Sequence, residues 1–464
     1  MASNRGRINR RELLGGAAAL TVAAGLGACR LPFSSTGGSP LDSLPDYGIP
    51  SPTAYLRTNW LKDPFALCSY SCLPVTPYGP RIRQMLAEPV GRRVLITGEA
   101  TSVSNPATVH GALESGLRTA GLIQENRDRD STVTVVGAGA AGLACARKLV
   151  DNGFDVAVLE GRDRIGGRVQ SEDLDGVPAE TGASWIHGLD GNPLVGLADD
   201  AGVEAVPFDW SYNFVDPQQR RSGLAGQRRM NQGLNSFAGS RRAASVTPLS
   251  DLFPRRRTPG LQWATTYDIS QEYGADPEDL SVLATWEGGY YGGGDAIVAG
   301  GYSRVLETAA GDLDVRTGTK VITVGYDRSG ATVETEGGET VTSDVVVVTV
   351  PIGVLKADSI RFDPPLPEPN RLAIEGLGAG VLDKLWLAFD EVFWDPEADS
   401  FQWIDADRPG LWAGWVNGQS YMGKPLLMGL NGGSQAADLS GWSDEDVLRS
   451  GMTALAGITR LGRS

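Results

Sequence analysis

The fold is decided by one stretch of the sequence, Thr132-Val-Thr-Val-Val-Gly-Ala-Gly-Ala-Ala-Gly142. Its first five residues are β-branched and apolar, which predicts a buried strand. A G-x-G-x-x-G turn follows and leads into a helical pattern over residues 143–149; a second predicted strand, 155–159, ends at Glu160. Strand, glycine turn, helix, strand and acid in this order are typical of a dinucleotide-binding unit, in which the acid accepts hydrogen bonds from the adenosine ribose.

The glycine turn is predicted to hold the pyrophosphate of the dinucleotide. Gly137 permits the tight turn, Gly139 lets the main chain approach the phosphates, and Gly142 lets the helix pack against the strand. The helix N-terminus, at Ala140 and Ala141, would supply amide donors and the positive end of the helix dipole. The alternative, a glycine turn in an unrelated α/β unit, is disfavoured because the whole pattern is present.

The composition favours a globular enzyme that takes its chemistry from an organic cofactor. The 464 residues include 41 Lys and Arg against 56 Asp and Glu, a net charge of −15, which disfavours nucleic acid as a partner. Two histidines, His110 and His187, and four cysteines are too few for a zinc scaffold or an iron–sulfur array, so no metal site is predicted. An organic cofactor is therefore expected.

The first fifty residues are predicted to be an export signal and a tether. Arg10-Arg11 precede an uncharged run rich in Ala and Gly that ends in Leu26-Gly-Ala-Cys29. This order fits a twin-arginine lipoprotein signal peptide over residues 1–28, with a lipid on Cys29 that anchors the protein to the outer face of the bacterial cytoplasmic membrane. Residues 29–52 would form a flexible tether. The alternative is a buried Ala/Gly helix.

Two further motifs resemble the flavin-dependent amine oxidase family, which includes polyamine oxidases and flavin-type histone lysine demethylases. The first is Arg162-Asp-Arg-Ile-Gly-Gly-Arg168, and the second is Gly182-Ala-Ser-Trp-Ile-His-Gly188, which is most similar to polyamine oxidases. The resemblance implies FAD as the cofactor. It also implies an α/β and α+β fold: a Rossmann-like FAD-binding domain with a mixed-sheet substrate domain. Its cofactor-binding residues in these motifs are Gly161, Arg162, Gly166, Gly167, Arg168, Gly182, Ala183, Ser184 and Trp185.

The family elements occur here in a rearranged order. Family members usually begin with the glycine-rich strand, whereas here a globular segment, residues 53–127, precedes it. That segment resembles the C-terminal end of the family through Trp60 before Asp-Pro, Gly98-Glu-Ala-Thr101 after a strand, and Thr108-Val-His-Gly-Ala112 at the start of a helix. The chain therefore resembles a circularly permuted amine oxidase. A duplicated fragment is the alternative, and it is disfavoured because residues 400–464 hold no second Gly-Glu-Ala-Thr.

This order predicts two domains that alternate along the chain. Strands are expected at 321–326, 331–336 and 340–349. The FAD-binding domain is predicted over residues 53–190, which comprise the transposed segment 53–127 and the dinucleotide-binding start 132–190, and again over 301–357, with the substrate domain over 191–300 and 358–464. The resemblance adds as cofactor contacts Trp60, Gly98, Glu99, Thr108, Val109 and Val321.

Three side chains carry the predicted catalysis. Lys384 matches the family lysine that approaches flavin N5 through a water molecule, although pattern alone would place it on a solvated edge strand. Tyr70 matches a tyrosine that forms one aromatic wall of the substrate site. His187 matches the histidine of polyamine oxidases and would bind a substrate nitrogen; a buried structural histidine is the alternative. His110 is expected to be structural.

The attachment of FAD is predicted to be non-covalent. Where covalent relatives carry the cysteine that holds FAD, this chain has Ser69, and Cys68 replaces the usual preceding glycine. Besides Trp60, four residues are weaker candidates for lining the pocket: Trp286, Glu287, Tyr290 and Asp295.

The implied reaction is oxidation of polyamines or related secondary amines. Hydride transfer to flavin N5 would give an imine, hydrolysis would give an aldehyde and a shorter amine, and oxygen would yield hydrogen peroxide. One alternative is an L-amino-acid oxidase, which needs an arginine to clamp the carboxylate. Another is a flavin-binding surface lipoprotein without turnover.

An arginine-dense stretch lies in the predicted substrate domain. We interpret it as a solvated face, with contact to anionic lipid headgroups as the alternative. Its residues are Arg220, Arg221, Arg228, Arg229, Arg241, Arg242 and 255–257.

Overall fold

The structure, a computed structural model, describes residues 39–289 and 291–460. The predicted signal peptide, Cys29 and the first part of the tether lie outside the described residues, as does Tyr290. The strands in chain order are β1 (Ala54–Arg57), β2 (Tyr70–Cys72), β3 (Val94–Ile96), β4 (Thr132–Val136), β5 (Asp155–Leu159), β6 (Ser171–Leu174), β7 (Val177–Glu180), β8 (Trp185–His187), β9 (Glu204–Pro207), β10 (Asp295–Ala299), β11 (Val315–Arg316), β12 (Val321–Tyr326), β13 (Ala331–Thr335), β14 (Thr340–Ser343), β15 (Val345–Val348), β16 (Arg361–Asp363), β17 (Gly378–Gly380), β18 (Leu382–Ala388), β19 (Ser400–Gln402), β20 (Gly414–Asn417) and β21 (Leu426–Gly432). The helices are α1 (Arg81–Ala87), α2 (Val109–Asn126), α3 (Ala140–Val150), α4 (Pro193–Asp200), α5 (Pro217–Asn235), α6 (Arg241–Val246), α7 (Pro259–Thr265), α8 (Gln271–Tyr273), α9 (Ser303–Ala310), α10 (Ile352–Lys356), α11 (Glu368–Gly376), α12 (Gly418–Met422), α13 (Ser434–Leu439) and α14 (Asp444–Arg460).

A parallel sheet forms the core of the dinucleotide-binding part, in the order β11-β5-β4-β15-β3. The four valines of β15 are all buried, as expected for a central parallel strand. β3 comes from the transposed segment and completes the sheet beside β15. Helix α2 of the same segment packs closely on α3, because a Cβ at Gly116 would lie only 2.1 Å from the carbonyl oxygen of Ala141. The transposed segment is thus built into the parallel sheet and its helical cover.

The strand predicted over residues 340–349 is two strands, and this prediction needs correction. β14 pairs antiparallel with β13, whereas β15 joins the parallel sheet. The chain changes sheets at Asp344, whose carboxylate accepts a hydrogen bond from the Thr132 amide at 3.0 Å. The pattern changes from alternating to continuously apolar at this residue because the first strand is half-exposed and the second is buried on both faces.

A second, antiparallel sheet has the order β1-β18-β21-β20-β19. β1 belongs to the segment predicted for the FAD-binding domain, yet it forms the edge of this sheet against β18. β18 therefore has neighbours on both sides, β1 and β21. The alternative interpretation of Lys384 as a solvated edge-strand lysine is excluded, because its strand is internal and its side chain is 4% exposed.

The second half of the predicted tether is packed. Leu41 and Tyr47 pack against the hydrophobic cluster that contains α14, and the Tyr47 hydroxyl donates to the Arg449 carbonyl at 3.2 Å. The flexible-tether prediction therefore fails for the residues from Ser39 onward, because apolar side chains are interspersed among the turn-forming ones. Over residues 39–289 and 291–460, none of the helices has the length and apolar character that a bilayer span requires.

Candidate active site

A cavity lies at the carboxyl ends of the parallel strands, where they face β18 and β21. Open α/β sheets bind ligands at this edge. Val136, Leu159 and Thr349, at or just beyond the ends of β4, β5 and β15, all line it. Every predicted cofactor-binding and catalytic residue lines it except Gly142. Gly142 has the packing position that was predicted for it, because a Cβ there would lie 2.0 Å from the carbonyl oxygen of Gly137.

The glycine turn forms an open cradle at one end of the cavity. Gly137 has φ +109°, and a Cβ would lie 2.5 Å from the hydroxyl of Thr349, so only glycine fits. A Cβ at Gly139 would meet nothing closer than 3.9 Å, because this residue faces the cavity. Helix α3 begins there with no side-chain cap and no acidic residue in its first turn. The amides of Ala140 and Ala141 are thus available to an anion.

Glu160 is buried at the end of β5 and lines the cavity. Its carboxylate accepts hydrogen bonds from the main-chain amides of Ala138 and Arg162, each at 2.8 Å. A carboxylate has about four acceptor sites, so ribose hydroxyls can still bind. The Arg162 guanidinium is committed elsewhere: it makes two 2.8 Å bonds to Asp63 and lies over the ring of Phe65. Arg162 therefore ties the transposed segment to the dinucleotide unit.

Glu99 and Arg168 form an ion pair at 3.0 Å in the middle of the cavity wall. The Glu99 carboxylate also accepts from the Ser71 amide and hydroxyl and from the Ala107 amide, at 3.1, 2.6 and 3.0 Å. Burial alone would raise the pKa of Glu99, but the Arg168 charge and the Ser71 hydrogen bond leave it below its ordinary value. Glu99 is thus an ionised structural acceptor, and any cofactor contact at this turn falls to the main chain around Gly98.

The N-terminus of α2 also reaches the cavity, through Thr108 and Val109. Thr108 is its N-cap, and its hydroxyl accepts from the Gly111 amide at 2.9 Å. The sequence predicted that a helix would begin here and that its positive N-terminal end would stabilise negative charge on a bound ring. His110, two residues after Thr108, is buried outside the cavity lining and packs edge-on against Tyr291, which agrees with a structural role.

Lys384 extends from β18 to the loop that follows β7. Its ammonium donates to the carbonyl oxygen of Glu180 at 2.8 Å, to the carbonyl of Gly182, and to the Ser184 hydroxyl at 2.6 Å. Burial lowers the pKa of Lys384 to about 7, against an opposing effect of the nearby Glu180 carboxylate. Burial likewise raises the pKa of Glu180 to about 7. The lysine therefore both lines the cavity and holds the main chain of its wall.

His187 is oriented by a carboxylate behind it. Its Nδ1 lies 3.3 Å from Asp295, which also accepts from the Trp210 indole and the Gly188 amide, each at 3.0 Å. Burial alone would raise the pKa of Asp295, but His187 and these hydrogen bonds lower it to about 2. An ionised Asp295 favours a proton on Nδ1, which leaves Nε2 as an acceptor at the cavity wall. Asp295 was predicted to line the pocket; it stands behind the histidine instead.

Tyr70 stands at the cavity wall with its hydroxyl donated to the Gln271 carbonyl at 2.8 Å. The neighbouring Ser69 also lines the cavity, and its hydroxyl is engaged with the main chain of Leu382. Cys68 is fully buried outside the cavity lining, and burial raises the pKa of its thiol. Positive φ falls on Leu67, so Cys68 can replace glycine without strain.

Two acidic residues in the wall have roles that the sequence did not indicate. Glu287, a weak candidate, forms a buried two-bond ion pair with Arg83 at 2.5 and 2.9 Å. Arg83 was missed because its partner is 204 residues away and no local pattern marks either one. Glu272 was missed as well; a π-helical turn, Thr266–Ser270, precedes it, and its half-buried carboxylate has no hydrogen-bond or ion-pair partner among the residues the structure describes. Trp286 is exposed outside the lining.

These residues fit the predicted cofactor. The open glycine cradle and the uncapped α3 suit a pyrophosphate, and Glu160 suits a ribose. Val321, the first residue of β12, lines the same end of the cavity as these residues. At the other end the buried indole nitrogen of Trp185 has no hydrogen-bond partner in the described chain, so a donor is available to a bound ring.

Comparisons with known proteins agree with this arrangement. A family model described as flavin containing amine oxidoreductase matches residues 42–124 and 140–462. Polyamine oxidase 2 of Arabidopsis thaliana is 34% identical over 351 residues, which cover 69% of this chain and 70% of that protein. Lysine-specific histone demethylase 2 of Homo sapiens is 28% identical over 381 residues, covering 75% of this chain and 46% of that protein. The solved structure of cyclohexylamine oxidase from Brevibacterium oxydans superimposes with a TM-score of 0.56 at 22% identity, over 72% of this chain and 82% of the other.

Proposed function

Because this chain belongs to the flavin containing amine oxidoreductase family and its cofactor is FAD, we propose that the amine it oxidises is a polyamine or a related secondary amine. The observation that carries the proposal is the charge of the cavity wall. Among the described residues the Glu272 carboxylate has no hydrogen-bond or ion-pair partner, whereas the cationic groups of the wall are already engaged. A substrate with a second ammonium group would find its counter-charge there.

The reacting amine would lie between aromatic side chains. Tyr70, Trp60 and Trp185 line the cavity, and aromatic faces attract ammonium groups as well as packing against methylene chains. His187 would accept a proton from the substrate nitrogen through Nε2, which leaves the amine neutral for oxidation. FAD, when bound, supplies the acceptor for a hydride equivalent and the path of the electrons to oxygen. Lys384 would hold or release a proton beside that site, since its pKa lies near 7.

An amino acid is the less suitable substrate. Its carboxylate would need a free arginine, and three arginines line the cavity within the described chain. Arg83 is paired with Glu287, Arg162 with Asp63, and Arg168 with Glu99. Breaking a buried pair of this kind leaves an uncompensated charge, at a cost of about 3–5 kcal/mol.

Anaerobic mixing with a panel of amines tests the proposal. Flavin absorbance at the oxidised peak should fall fastest with polyamines, more slowly with a monoamine of equal length, and not at all with amino acids. Glu272→Gln should weaken the dependence on the second ammonium group by about tenfold, or about 1.4 kcal/mol. Equal bleaching by monoamines and polyamines, or bleaching by amino acids alone, would contradict it.

We also propose that the chain is circularly permuted. Arg57 of the segment donates to the Trp442 carbonyl and to Asp444 at the start of α14, each at 2.9 Å, so the segment contacts the helix that would precede it in the family order. The family model matches in two pieces. A gene that places residues 53–127 after residue 464 should give a protein with the same FAD content and turnover. Failure of that protein to bind FAD, while the natural order binds it, would argue against permutation.

A further inference from the structure

An arginine-rich surface covers the outer side of the predicted substrate domain. Residues 217–257 include nine arginines and one acidic residue, in a chain whose net charge is −15. Arg257 pairs with Glu278. The other eight are exposed, and their guanidinium groups have no ion-pair or hydrogen-bond partner in the described part of the chain. They are Arg220, Arg221, Arg228, Arg229, Arg241, Arg242, Arg255 and Arg256.

The packing of α5 directs its arginines outward. Gly223 and Gly226 face inward, since a Cβ on them would lie 2.4 Å from the Phe214 ring and 1.9 Å from the Gly260 carbonyl oxygen. Met230, on the same face, is buried. With about 3.6 residues per turn, Arg221 and Arg228 lie opposite this buried face, and Arg220 and Arg229 lie on its two flanks. All four arginines of α5 are therefore exposed to solvent, despite the Coulomb repulsion between neighbouring charges.

Exposed apolar side chains border this surface. Val246, at the end of α6, is 50% exposed, and Val75, Tyr78 and Trp286 are 42%, 39% and 37% exposed. They lie close to one another: the Thr76 amide donates to the Ser245 carbonyl at 2.8 Å, and Tyr78 follows two residues later. The Trp286 ring contacts the ring of Phe237, in the loop between α5 and α6. We call these four side chains the apolar rim.

We infer that the arginine-rich surface and its apolar rim dock this protein onto a bilayer of anionic lipids. Guanidinium groups bind lipid phosphates in two-bond geometry, and each basic side chain near an anionic surface contributes to the attraction. The apolar rim favours a lipid surface over a soluble polyanion such as nucleic acid, because valine, tyrosine and tryptophan gain from the boundary between headgroups and acyl chains. Trp286 directly precedes Glu287, so a docked membrane borders the wall of the cavity.

Vesicle co-sedimentation tests the inference with the full chain carrying Cys29→Ser, so that no lipid is attached. Vesicles with one third phosphatidylglycerol should bind the protein, and pure phosphatidylcholine vesicles should not. Binding should fall at 0.5 M salt, because screening weakens exposed charges. Replacing Arg228, Arg229, Arg241 and Arg242 by Gln should reduce binding at least about tenfold, and Val246→Ser should reduce it further.

The matched control removes four exposed arginines from elsewhere: Arg92, Arg129, Arg316 and Arg361, each to Gln. Its net charge equals that of the first variant, so its binding should stay within about twofold of the unsubstituted chain if the surface is specific. Equal losses in both variants would overturn the inference, since net charge alone would then explain them. Binding to a DNA duplex in preference to anionic vesicles would overturn it too. FAD content and amine turnover in solution should be unchanged in both variants.

Discussion

Replacing Lys384 by methionine should separate two roles that the structure gives to one side chain. Methionine keeps most of the volume but removes the ammonium, which leaves the Gly182 carbonyl and the Ser184 hydroxyl without this donor. The Glu180 carbonyl loses the ammonium too but keeps the Trp386 indole, which donates to it at 3.2 Å. The Ser184 hydroxyl can rotate to another partner, whereas the Gly182 carbonyl cannot. An unsatisfied buried acceptor costs about 1–3 kcal/mol, so the wall at residues 180–184 should lose about that much local stability.

Part of this loss should appear in cofactor affinity, because Gly182 and Ser184 line the cavity. We expect FAD to dissociate about tenfold more readily, equivalent to about 1.4 kcal/mol. At saturating FAD, turnover should still be at least about tenfold slower, because the Lys384 amine, which titrates near neutrality, is removed. This corresponds to a further barrier of about 1.4 kcal/mol. Lys356→Met is the control: this lysine also donates to a main-chain carbonyl, that of Glu375 at 2.8 Å, but lies outside the cavity lining.

Fluorescence titration of the apoprotein would give the FAD affinity, and stopped-flow absorbance would time flavin reduction and reoxidation separately. Slow reoxidation alone would assign Lys384 to oxygen chemistry. The reasoning is refuted if both rates and the FAD affinity match those of the Lys356→Met control.

Three neighbouring features and the export signal give the remaining predictions. The carboxylate of Glu180 raises the pKa of Lys384 against the larger effect of burial, so Glu180→Gln should move the limb of the pH–rate profile that reports Lys384 to lower pH by about one unit; an unmoved limb in a folded variant would separate the two groups. Asp295→Asn should raise the KM for polyamines about tenfold with a smaller effect on kcat, because His187 loses its orientation and its Nδ1 tautomer; a loss confined to kcat would point to another role. No cysteine lines the cavity within the described chain, so acid precipitation should release the flavin into the supernatant, and yellow pellets would show a covalent bond. Finally, Cys29→Ser should abolish lipid labelling of the exported protein; labelling that persists would mean that the lipid is attached elsewhere or that the signal was misassigned.

The residues that sequence predicted well are those whose role depends on their immediate neighbours. Gly137, Gly139 and Gly142 act within one turn, so the motif specifies both their conformation and their position against α3. The same holds for Thr108, whose hydroxyl caps the helix that it begins. Such local rules hold wherever the segment lies in the chain, so the circular permutation that we propose would not obscure them.

The residues that sequence missed act through partners far away in the chain. Glu287 lines the cavity as predicted, but its contact with Arg83 forms only on folding, and Glu272 becomes noticeable only because the described residues offer its carboxylate no ion-pair partner. The burial of Lys384 was likewise invisible, since the pattern of β18 fits an edge strand as well as an internal one. The strands on either side of Asp344 were also not separated by sequence, because one continuous β pattern runs through strands of two different sheets.

The missed contacts share one feature that bears on how the site is assembled. Asp63–Arg162, Glu99–Arg168 and Arg83–Glu287 each join the transposed segment to the rest of the chain, and all three lie at the cavity. Each partner alone would leave a charge in a partly or fully buried position, which is unfavourable until the other arrives. The cavity walls are therefore complete only when both parts of the chain have met, whichever comes first in the sequence. This dependence explains why local motifs indicate a dinucleotide unit in one part and an active-site helix in the other, while neither part by itself specifies the site.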